Sequence, residues 1–274
     1  MALRLVVSGA GGRMGKAIIG LLFEYPQVSL VGALERDGHP DLGQLVWAQA
    51  SPRRAKSDRE AAAGIRLSAD AEKVLSGTDL LIDFTSPSAT LNHLRVCRKL
   101  KKGIVIGTTG FIEPELAEIK AASAEAPVFI SPNMSLGVNL LFHLVSESAK
   151  NLSGYQVEIM EAHHDQKVDA PSGTAKKLAE IVAAAHGDDL AAVAVYGRQG
   201  RPGPRKSAEI GIHALRLGDV VGEHTVIFAA SGERIELTHK ASSRNTFASG
   251  AIKAALFLSK QKPGLYSMAD LLKT

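Results

Sequence analysis

A glycine-rich turn near the start of the chain constrains the fold more than any other feature of the sequence. Gly9, Gly12 and Gly15, with Gly11 as an extra glycine, follow an apolar run at residues 3–8 that is typical of a buried strand, and apolar residues at helical spacing come next. In dinucleotide-binding folds the first glycine makes the tight bend, the second lets backbone N–H groups approach a pyrophosphate, and the third lets helix and strand pack closely. The order strand, turn, helix therefore indicates a nucleotide site.

Short apolar runs and helix-like stretches alternate through the first 130 residues. This alternation favours a parallel sheet with helices on both faces, because parallel strands need crossover connections. We therefore predict an α/β protein whose N-terminal domain is a Rossmann-type doubly wound parallel sheet. The charged run at residues 53–60 interrupts the pattern and is interpreted as a solvated loop or helix face. The further strands and the clearest later helix are predicted at residues 30–34, 80–84, 104–106, 128–130 and 115–124.

Two charged residues follow the second predicted strand. Glu35 lies twenty residues after Gly15, where an acidic side chain suits the ribose hydroxyls of a dinucleotide. Arg36 comes next and suits a 2′-phosphate instead. The alternative is an ordinary glycine turn with surface charges at a strand end. The sequence context favours the nucleotide site.

Two polar segments follow later strands of the same sheet. Gly107, Thr108, Thr109 and Gly110 come after the strand at 104–106. The second segment comes after the strand at 128–130 and consists of Ser131, Pro132, Asn133, Met134 and Ser135. Open α/β sheets bind ligands at the carboxyl ends of their strands, so both segments are candidate ligand contacts. The alternative is that they are ordinary polar loops.

The pattern changes after Pro132, and we predict a second domain of the α+β class with a mostly antiparallel sheet. Turns at Gly218-Asp219 and Ser231-Gly232 suggest successive antiparallel strands. We expect the final helix to pack back on the first domain, which gives residues 1–131 with 241–274 as one domain and 132–240 as the other. The elements behind this division are strands at 155–161, 210–217, 220–229 and 235–237, helices at 136–150, 174–185 and 247–258, and a long loop at 197–205.

Bulk properties narrow the classes of protein. A chain of 274 residues suggests two domains, and its formal charge of +4 is too small and dispersed to indicate nucleic acid binding. No apolar run is long enough for a membrane span, and the first residues carry no export signal. Cys97 is the only cysteine, so no intrachain disulfide can form. We therefore expect a cytoplasmic protein without nucleic acid or membrane partners.

The densest polar stretch, residues 161–175, lies between a predicted strand and a predicted helix. It brings together two imidazoles at His163 and His164, the ammonium of Lys167 and three carboxylates. Imidazole is the side chain best suited to proton exchange near neutral pH. Ser172, Gly173 and Thr174 open the following helix, and a helix start offers free N–H groups to a carboxylate or phosphate. One segment therefore combines acid–base groups with an anion-binding position.

Three other interpretations of this stretch remain open. Ser172 or Thr174 could serve simply as the N-cap of the helix. The histidine pair with a nearby aspartate could bind a metal ion, although adjacent histidines rarely share one tetrahedral ion, and we expect no metal. The stretch could also be a solvated polar loop. The isolated histidines elsewhere are interpreted as structural or exposed residues, namely His39, His93, His143 and His186.

Together these motifs resemble the dihydrodipicolinate reductase family, the 4-hydroxy-tetrahydrodipicolinate reductases of bacterial and plant lysine and diaminopimelate biosynthesis. The resemblance runs from Gly9 to Arg244, nearly the whole chain. Its most specific part is Glu161-Ala162-His163-His164 with Lys167 and the run 169–175. Residues 107–110 and 221–225 are similar as well.

The resemblance implies an oxidoreductase that transfers hydride from NADH or NADPH to a cyclic dicarboxylic substrate, converting 4-hydroxy-tetrahydrodipicolinate to tetrahydrodipicolinate. It implies that His163 is the proton donor and Lys167 a second catalytic group, and that family members form homotetramers through the second domain's sheet. We expect Ser172 to join the substrate-binding residues implied by the resemblance, which are His164, Gly173 and Thr174. The implied cofactor-binding residues are Gly9, Ala10, Gly11, Gly12, Arg13, Met14, Glu35, Arg36, Gly107, Thr108, Thr109, Ser131, Pro132, Asn133 and Met134.

Some alternatives stay open at this level. Ser86 stands where some family members carry a basic residue near the adenosine phosphate, so the choice between NADH and NADPH is not fixed. Another two-domain dehydrogenase, acting on an amino acid or a sugar, is the nearest competing function. A nicotinamide-sensing regulator is less favoured, because no basic cluster or helix-turn-helix pattern is present. A metal-dependent hydrolase is the third alternative.

Overall fold

The computed structural model describes residues 2–46 and 64–273, so the charged run at 53–60 lies outside the described residues. The chain divides into two compact units. The first is formed by the described residues up to Leu136 and from Asn245 onward, and the second by Gly137–Arg244. The sequence placed the first boundary at residue 131 and the second at residue 241. The assignment of a separate ligand to each unit stays a prediction.

The elements alternate in the first unit and change order in the second. Those up to residue 151 are β1 (Leu3–Ser8), α1 (Arg13–Leu21), β2 (Val28–Leu34), β3 (Leu67–Ser68), α2 (Ala71–Ser76), β4 (Leu80–Asp83), α3 (Pro87–Leu100), β5 (Gly103–Ile106), α4 (Glu113–Ala122), β6 (Pro127–Ile130) and α5 (Leu136–Asn151). The rest are β7 (Gln156–His163), α6 (Gly173–His186), α7 (Leu190–Val193), β8 (Ala194–Tyr196), β9 (Ile210–Arg216), β10 (Gly222–Ala230), β11 (Glu233–Ala241), α8 (Asn245–Leu258), β12 (Gly264–Tyr266) and α9 (Met268–Leu271). None of the described helices is long and apolar enough to cross a membrane.

The first unit contains a seven-stranded sheet in the order β12-β6-β5-β4-β1-β2-β3, and all of its strand pairs are parallel. All four residues of β4 and of β5 are buried, as expected for strands covered on both faces. The order reverses between β1 and β4, and doubly wound sheets bind ligands at this switch point, beyond the carboxyl ends of the strands. The predicted N-terminal fold class is confirmed.

Helix α8 returns to the first unit although it follows the whole second unit in sequence. Its small residues Ala248, Ala251 and Ala255 are fully buried in the core of that unit. A Cβ atom at Gly250 would lie 1.7 Å from the carbonyl oxygen of Met134. Only a glycine therefore permits the observed approach between α8 and the segment after β6.

The second unit has a mixed sheet in the order β11-β10-β7-β9-β8. Strand β10 is antiparallel to β7 and to β11, whereas β9 is parallel to β7 and to β8. The α+β class and the β10–β11 hairpin are as predicted. The sheet is mixed and not mostly antiparallel, because two of its four strand pairs are parallel. The expected succession of neighbouring strands is wrong for β9 and β10, which do not pair with each other.

The reason is that β7 lies between β9 and β10 and forms backbone hydrogen bonds along both of its edges. The turn at Gly218 is present, but this connection crosses the end of β7. There the N–H of Leu217 donates to the carbonyl of His163 at 2.8 Å, and the N–H of Asp165 donates to the carbonyl of Gly218 at 3.1 Å. Two interstrand spacings span about 10 Å, a distance that a five-residue connection reaches. A short turn between strands therefore did not prove that they are neighbours.

Candidate active site

The glycine-rich turn between β1 and α1 packs without room for side chains. Gly9 has a φ of +71°, and a Cβ atom there would lie 2.4 Å from the carbonyl oxygen of Phe84, the residue after β4. A Cβ atom at Gly15 would lie 2.2 Å from the carbonyl oxygen of Gly9. Both glycines are therefore required by close backbone contacts, which bring the turn against β4 and α1 against the turn.

A cavity of about 590 Å³ opens beside this turn, at the carboxyl edge of the parallel sheet. Glu35 lies on its wall, and Oε2 of that carboxylate accepts the N–H of Gly11 at 3.0 Å. Arg36 also lines the cavity and is exposed. The cavity is large enough for part of a dinucleotide. Its other lining residues include Ser8, Gly9, Gly12, Asp37, His39, Phe84, Thr85, Ser86, Asn92 and His93.

A buried carboxylate that the sequence did not single out organises the next two turns of the sheet edge. Asp83 is fully buried, and its Oδ1 accepts the hydroxyl groups of Thr85 at 2.6 Å and Thr90 at 2.9 Å. The Thr108 hydroxyl lies 3.2 Å from the same oxygen, and Nδ1 of His93 lies 2.6 Å from Oδ2. Asp83 therefore ties the turn after β4 to the turn after β5. Residue-type clustering could not find this network, because its members are spread over 26 positions of sequence.

The remaining candidate cofactor residues do not line the cavity within the described part of the chain. The Thr108 hydroxyl faces the Asp83 network, and a Cβ atom at Gly107 would lie 2.3 Å from the Phe84 ring. Ser131 is buried and its hydroxyl donates to the carbonyl of Asn133 at 2.7 Å. Ala10 is buried, Arg13 is exposed, and Met134 is 2% exposed. The structure thus places these residues around the same sheet edge, where any contact with a cofactor stays a prediction.

In the second unit, His163 at the end of β7 is held by two charged residues. Its Nδ1 lies 2.5 Å from Oε2 of Glu161, which is on the same face of β7. Both terminal nitrogens of the Arg216 guanidinium donate to that carboxylate, at 3.0 and 3.1 Å. Arg216 is the register partner of His163 on β9, which explains why the three side chains meet. Glu161 is completely buried, so protein groups and not solvent must compensate its charge.

Burial and hydrogen bonding have opposing effects on the pKa values of Glu161 and His163. Burial by itself raises the pKa of Glu161, but hydrogen bonds from Arg216, His163 and a backbone N–H outweigh burial and hold that pKa below its ordinary value. Burial lowers the pKa of His163, and the Glu161 carboxylate opposes that effect without cancelling it. The site therefore contains an ionised carboxylate beside an imidazole whose pKa lies below its ordinary value.

Lys167 and His164 lie on the loop that follows β7. The Lys167 ammonium contacts both carboxylate oxygens of Asp169, at 2.6 and 2.8 Å, and is close enough to His163 to lower the pKa of that imidazole. Val168, which lies between Lys167 and Asp169 in sequence, is 99% exposed, so the loop projects into solvent. The side chain of His164 is half-buried. The ammonium of Lys167 is suited to an anionic ligand.

Helix α6 starts beside this loop, and Ser172 is its N-cap. The Ser172 hydroxyl accepts the N–H of Ala175 at 3.2 Å and lies 3.1 Å from Nε2 of His224, while the Ser172 N–H donates to Glu161 at 3.0 Å. Gly173 is exposed, and a Cβ atom there would meet no other atom within 4 Å. Thr174 is half-buried. The helix start thus has open space at Gly173, whereas Ser172 is buried and committed to protein contacts.

His224 on β10 is buried next to His163. Its ring packs edge-on against His163 with a centroid distance of 5.2 Å. Burial, with a contribution from His163, lowers the pKa of His224 to about 3, so this imidazole is neutral. His224 belongs to the run 221–225 that resembles the family, but the sequence pattern indicated no role for it, for Glu161 or for Arg216. Alternation along β7 could have paired Glu161 with His163, but no local signal points to Arg216. Across residues 2–46 and 64–273, no group of three or more potential ligands is arranged to hold a metal ion.

Comparisons with known proteins cover almost the whole chain. The family described as "Dihydrodipicolinate reductase, N-terminus" matches residues 3–134, and "Dihydrodipicolinate reductase, C-terminus" matches residues 137–272. A 4-hydroxy-tetrahydrodipicolinate reductase from Nitrosomonas europaea is 48% identical, and one from Laribacter hongkongensis is 49% identical, each over 98% of both chains. A solved dipicolinate-bound dihydrodipicolinate reductase from Paenisporosarcina sp. TG-14 is 25% identical with a TM-score of 0.77, and the match covers 97% of this chain and 98% of that one.

Proposed function

This chain belongs to the dihydrodipicolinate reductase family, and we propose that it reduces 4-hydroxy-tetrahydrodipicolinate to tetrahydrodipicolinate with NADH or NADPH. The family's two halves match both units, and relatives named for this activity match over 98% of their own length. One observation carries the chemical part of the proposal. The imidazole of His163 is held by a buried carboxylate, beside the lysine and the helix start that suit an anionic substrate.

The first unit supplies a cradle that fits a dinucleotide. Gly9 and Gly15 leave no room for side chains, and the adjoining cavity is lined by both Glu35 and Arg36. Glu35 would accept the ribose hydroxyls of NADH, and Arg36 would pair with the 2′-phosphate of NADPH. A bound nicotinamide supplies the hydride. Because both side chains line one cavity, we propose that the enzyme uses either cofactor.

The second unit would bind the dicarboxylate substrate at the start of α6. Gly173 and Thr174 belong to the first helical turn, where N–H groups have no intrahelical acceptor and the helix dipole favours an anion. Lys167 and His164 on the preceding loop add a positive charge and a hydrogen-bond donor. The dipicolinate-bound relative supports a dicarboxylate at this enzyme's site. Ser172 is assigned to the N-cap instead of to the substrate, because its hydroxyl and N–H already have partners.

The net reaction replaces the 4-hydroxyl group of the substrate by hydride and releases that group as water, and His163 would donate the proton that this balance requires. With Nδ1 directed at Glu161, the other ring nitrogen, Nε2, is left for the substrate. Nε2 lies beside Gly222, where a Cβ atom would be only 3.1 Å away, so this glycine preserves the space at that nitrogen. The Lys167 ammonium would hold a substrate carboxylate and stabilise negative charge that develops during the reaction.

The direct test is an assay of the purified protein with freshly prepared substrate, following the absorbance of NADH and of NADPH separately. Oxidation of at least one cofactor that depends on the substrate is the expected result. An enzyme that oxidises neither would refute the proposed activity. Amino acids and polyols with the oxidised cofactors serve as the comparison for the competing dehydrogenase function.

We further propose that the protein is a cytoplasmic homotetramer assembled through the open face of the second sheet. Helix α6 packs on one face of that sheet. On the other face, Met160 and Leu215 are 40% and 44% exposed, which suits burial against a second copy. Light scattering after size exclusion should give four chains, and Met160→Lys should reduce that number, while Glu180→Lys on α6 should not. The single, buried Cys97 is consistent with a reducing compartment.

A further inference from the structure

Glu161 is a buried carboxylate of the second unit that receives four hydrogen bonds, and the proposed reaction does not use it directly. Each of its oxygens receives two hydrogen bonds. Oε2 accepts from His163 and Arg216, at 2.5 and 3.0 Å. Oε1 accepts from Arg216 and from the backbone N–H of Ser172, at 3.1 and 3.0 Å. The four acceptor positions of this buried group are therefore occupied by donors from three residues, two of them from Arg216.

Arg216 extends the same network to the lysine loop. Its side chain is 22% exposed, and beyond Glu161 it donates to the backbone carbonyls of Asp169 at 2.6 Å and Lys167 at 3.4 Å. Its fifth donor reaches the backbone carbonyl of the neighbouring Leu215 at 2.6 Å. A guanidinium presents five donors in a planar fork, so one side chain can connect a carboxylate with two carbonyls. The residue that pairs with Glu161 thereby also fixes the loop on which Lys167 lies.

We infer that Glu161 and Arg216 form a positioning pair that orients His163 and keeps it able to carry a proton, and that also holds the lysine loop and the start of α6. This inference rests on the proposed function for its catalytic meaning. Neither residue has a free donor or acceptor for the substrate in the contacts described above. They act through His163, Lys167 and Ser172.

The electrostatic surroundings of His163 give this pair a measurable signature. Among the residues that the structure describes, four titratable or charged groups face the imidazole, namely Glu161 from β7, Arg216 from β9, Lys167 from the loop and His224 from β10. Glu161 alone among them favours the protonated ring, since Arg216 and Lys167 are cations and His224 is neutral. Removal of the Glu161 charge should therefore lower the pKa of His163 further, because the two cations are no longer opposed.

The first measurement needs no substrate. The two ring nitrogens of His163 can be followed by ¹⁵N NMR during a pH titration of the folded, ligand-free protein. In the wild type we expect the neutral ring to carry its proton on Nδ1, facing Glu161. In Glu161→Gln we expect the His163 titration to move down by about one pH unit or more. An unchanged tautomer and midpoint in the folded variant would overturn the inference.

The second measurement is kinetic. A proton donor must be protonated, so a lower pKa moves the fall of activity with rising pH to lower pH values. We expect Glu161→Gln to lower kcat about tenfold or more at neutral pH, with a smaller change in KM, and to shift the pH profile in this direction. Glu180→Gln on α6 removes a carboxylate of the same unit that has no contact with the network, and it should behave like the wild type.

Glu161→Gln leaves the partly buried Arg216 without its charge partner and could fail to fold. The double variant Glu161→Gln, Arg216→Met removes both charges and keeps the inference testable, since it too should show the lowered His163 titration. If the wild type itself lacks reductase activity, the proposed function fails while the NMR result still decides the positioning role. If the wild type is active and both variants retain its pH profile, only the positioning role fails.

Discussion

A Cβ atom at Gly9 would lie 2.4 Å from the carbonyl oxygen of Phe84, although these residues are 75 positions apart in sequence. The contact joins the turn after β1 to the end of β4, the two strands between which the order of the parallel sheet reverses. The glycine motif and the switch point are therefore one structural feature. Gly9 and Phe84 both line the cavity beside this switch point.

Gly9→Ala should weaken cofactor binding and lower stability. The left-handed backbone costs alanine about 1 to 2 kcal/mol, and the clash with Phe84 must also be relieved by moving the turn. We expect the Kd for NADH or NADPH, measured by calorimetry, to rise about tenfold or more, with a lower Tm. Gly154→Ala is the matched control, because Gly154 also has a positive φ but nothing within 4 Å of its Cβ position. Equal effects of both substitutions on cofactor binding would contradict the assignment.

Arg36→Ala should separate the two cofactors. If the guanidinium pairs with the 2′-phosphate, its removal costs a charge-assisted hydrogen bond of about 1.5 to 3 kcal/mol, which corresponds to a rise of about 10-fold to 100-fold in the KM for NADPH. The KM for NADH should stay within about twofold. Steady-state kinetics with each cofactor measure the difference. Glu35→Gln should instead raise the KM for NADH more than the KM for NADPH. An equal rise in KM for both cofactors in either variant would argue against these roles.

His163→Gln should lower kcat while leaving the fold intact. Loss of a general acid typically reduces the rate about 100-fold to 10,000-fold. Since burial holds the pKa of His163 below its ordinary value, we also expect the wild-type kcat/KM to fall as pH rises, with a midpoint below about pH 6.5. His143→Gln replaces an exposed histidine of α5 and is the control. Turnover near the wild-type rate across pH in His163→Gln would exclude the proton-donor role.

Asp83→Asn should destabilise the first unit and weaken cofactor binding at the carboxyl edge of its sheet. The buried carboxylate accepts from three hydroxyl groups and faces Nδ1 of His93, and an amide cannot accept all of them. We expect a loss of about 1 to 3 kcal/mol in the free energy of unfolding, measured with denaturant, and a higher KM for the cofactor. Asp79→Asn, at the exposed opposite end of β4, should lose less in both respects. Equal losses would show that the network has no special role.

His224 should make the protein less stable in acid. Burial lowers its folded-state pKa to about 3, whereas the unfolded chain takes up a proton near pH 6.5, so protonation favours unfolding. Between these values the free energy of unfolding should decrease by about 1.4 kcal/mol for each unit of falling pH through this residue alone. His224→Gln should remove that part of the slope, and His143→Gln should not. Unfolding curves between pH 7 and pH 4 give the comparison, and an unchanged slope in His224→Gln would refute the prediction.

Sequence reasoning reached furthest where a local pattern has one structural solution. The alternation of apolar runs with helical spacing predicted the parallel sheet, because parallel strands need crossover connections and these are usually helices. It failed for β9 and β10, since a short glycine turn is compatible both with a hairpin and with a connection that crosses the end of a third strand. The choice depends on how β7 completes the hydrogen bonds of both its edges, and no local signal carries that information.

The candidate site divides in the same way. The run from Glu161 to Ala175 determined by itself that imidazoles, a lysine and a helix start lie close together, since they are neighbours in sequence. Only the tertiary structure decided that Arg216 and His224 complete the site, that Ser172 caps the helix, and that Glu161 binds His163. Strand register places these groups side by side. It therefore determines which hydrogen-bond donors lie within reach of the buried Glu161 carboxylate. The glycine-rich turn behaves likewise, because its spacing is local but the strand end that requires Gly9 lies 75 positions away.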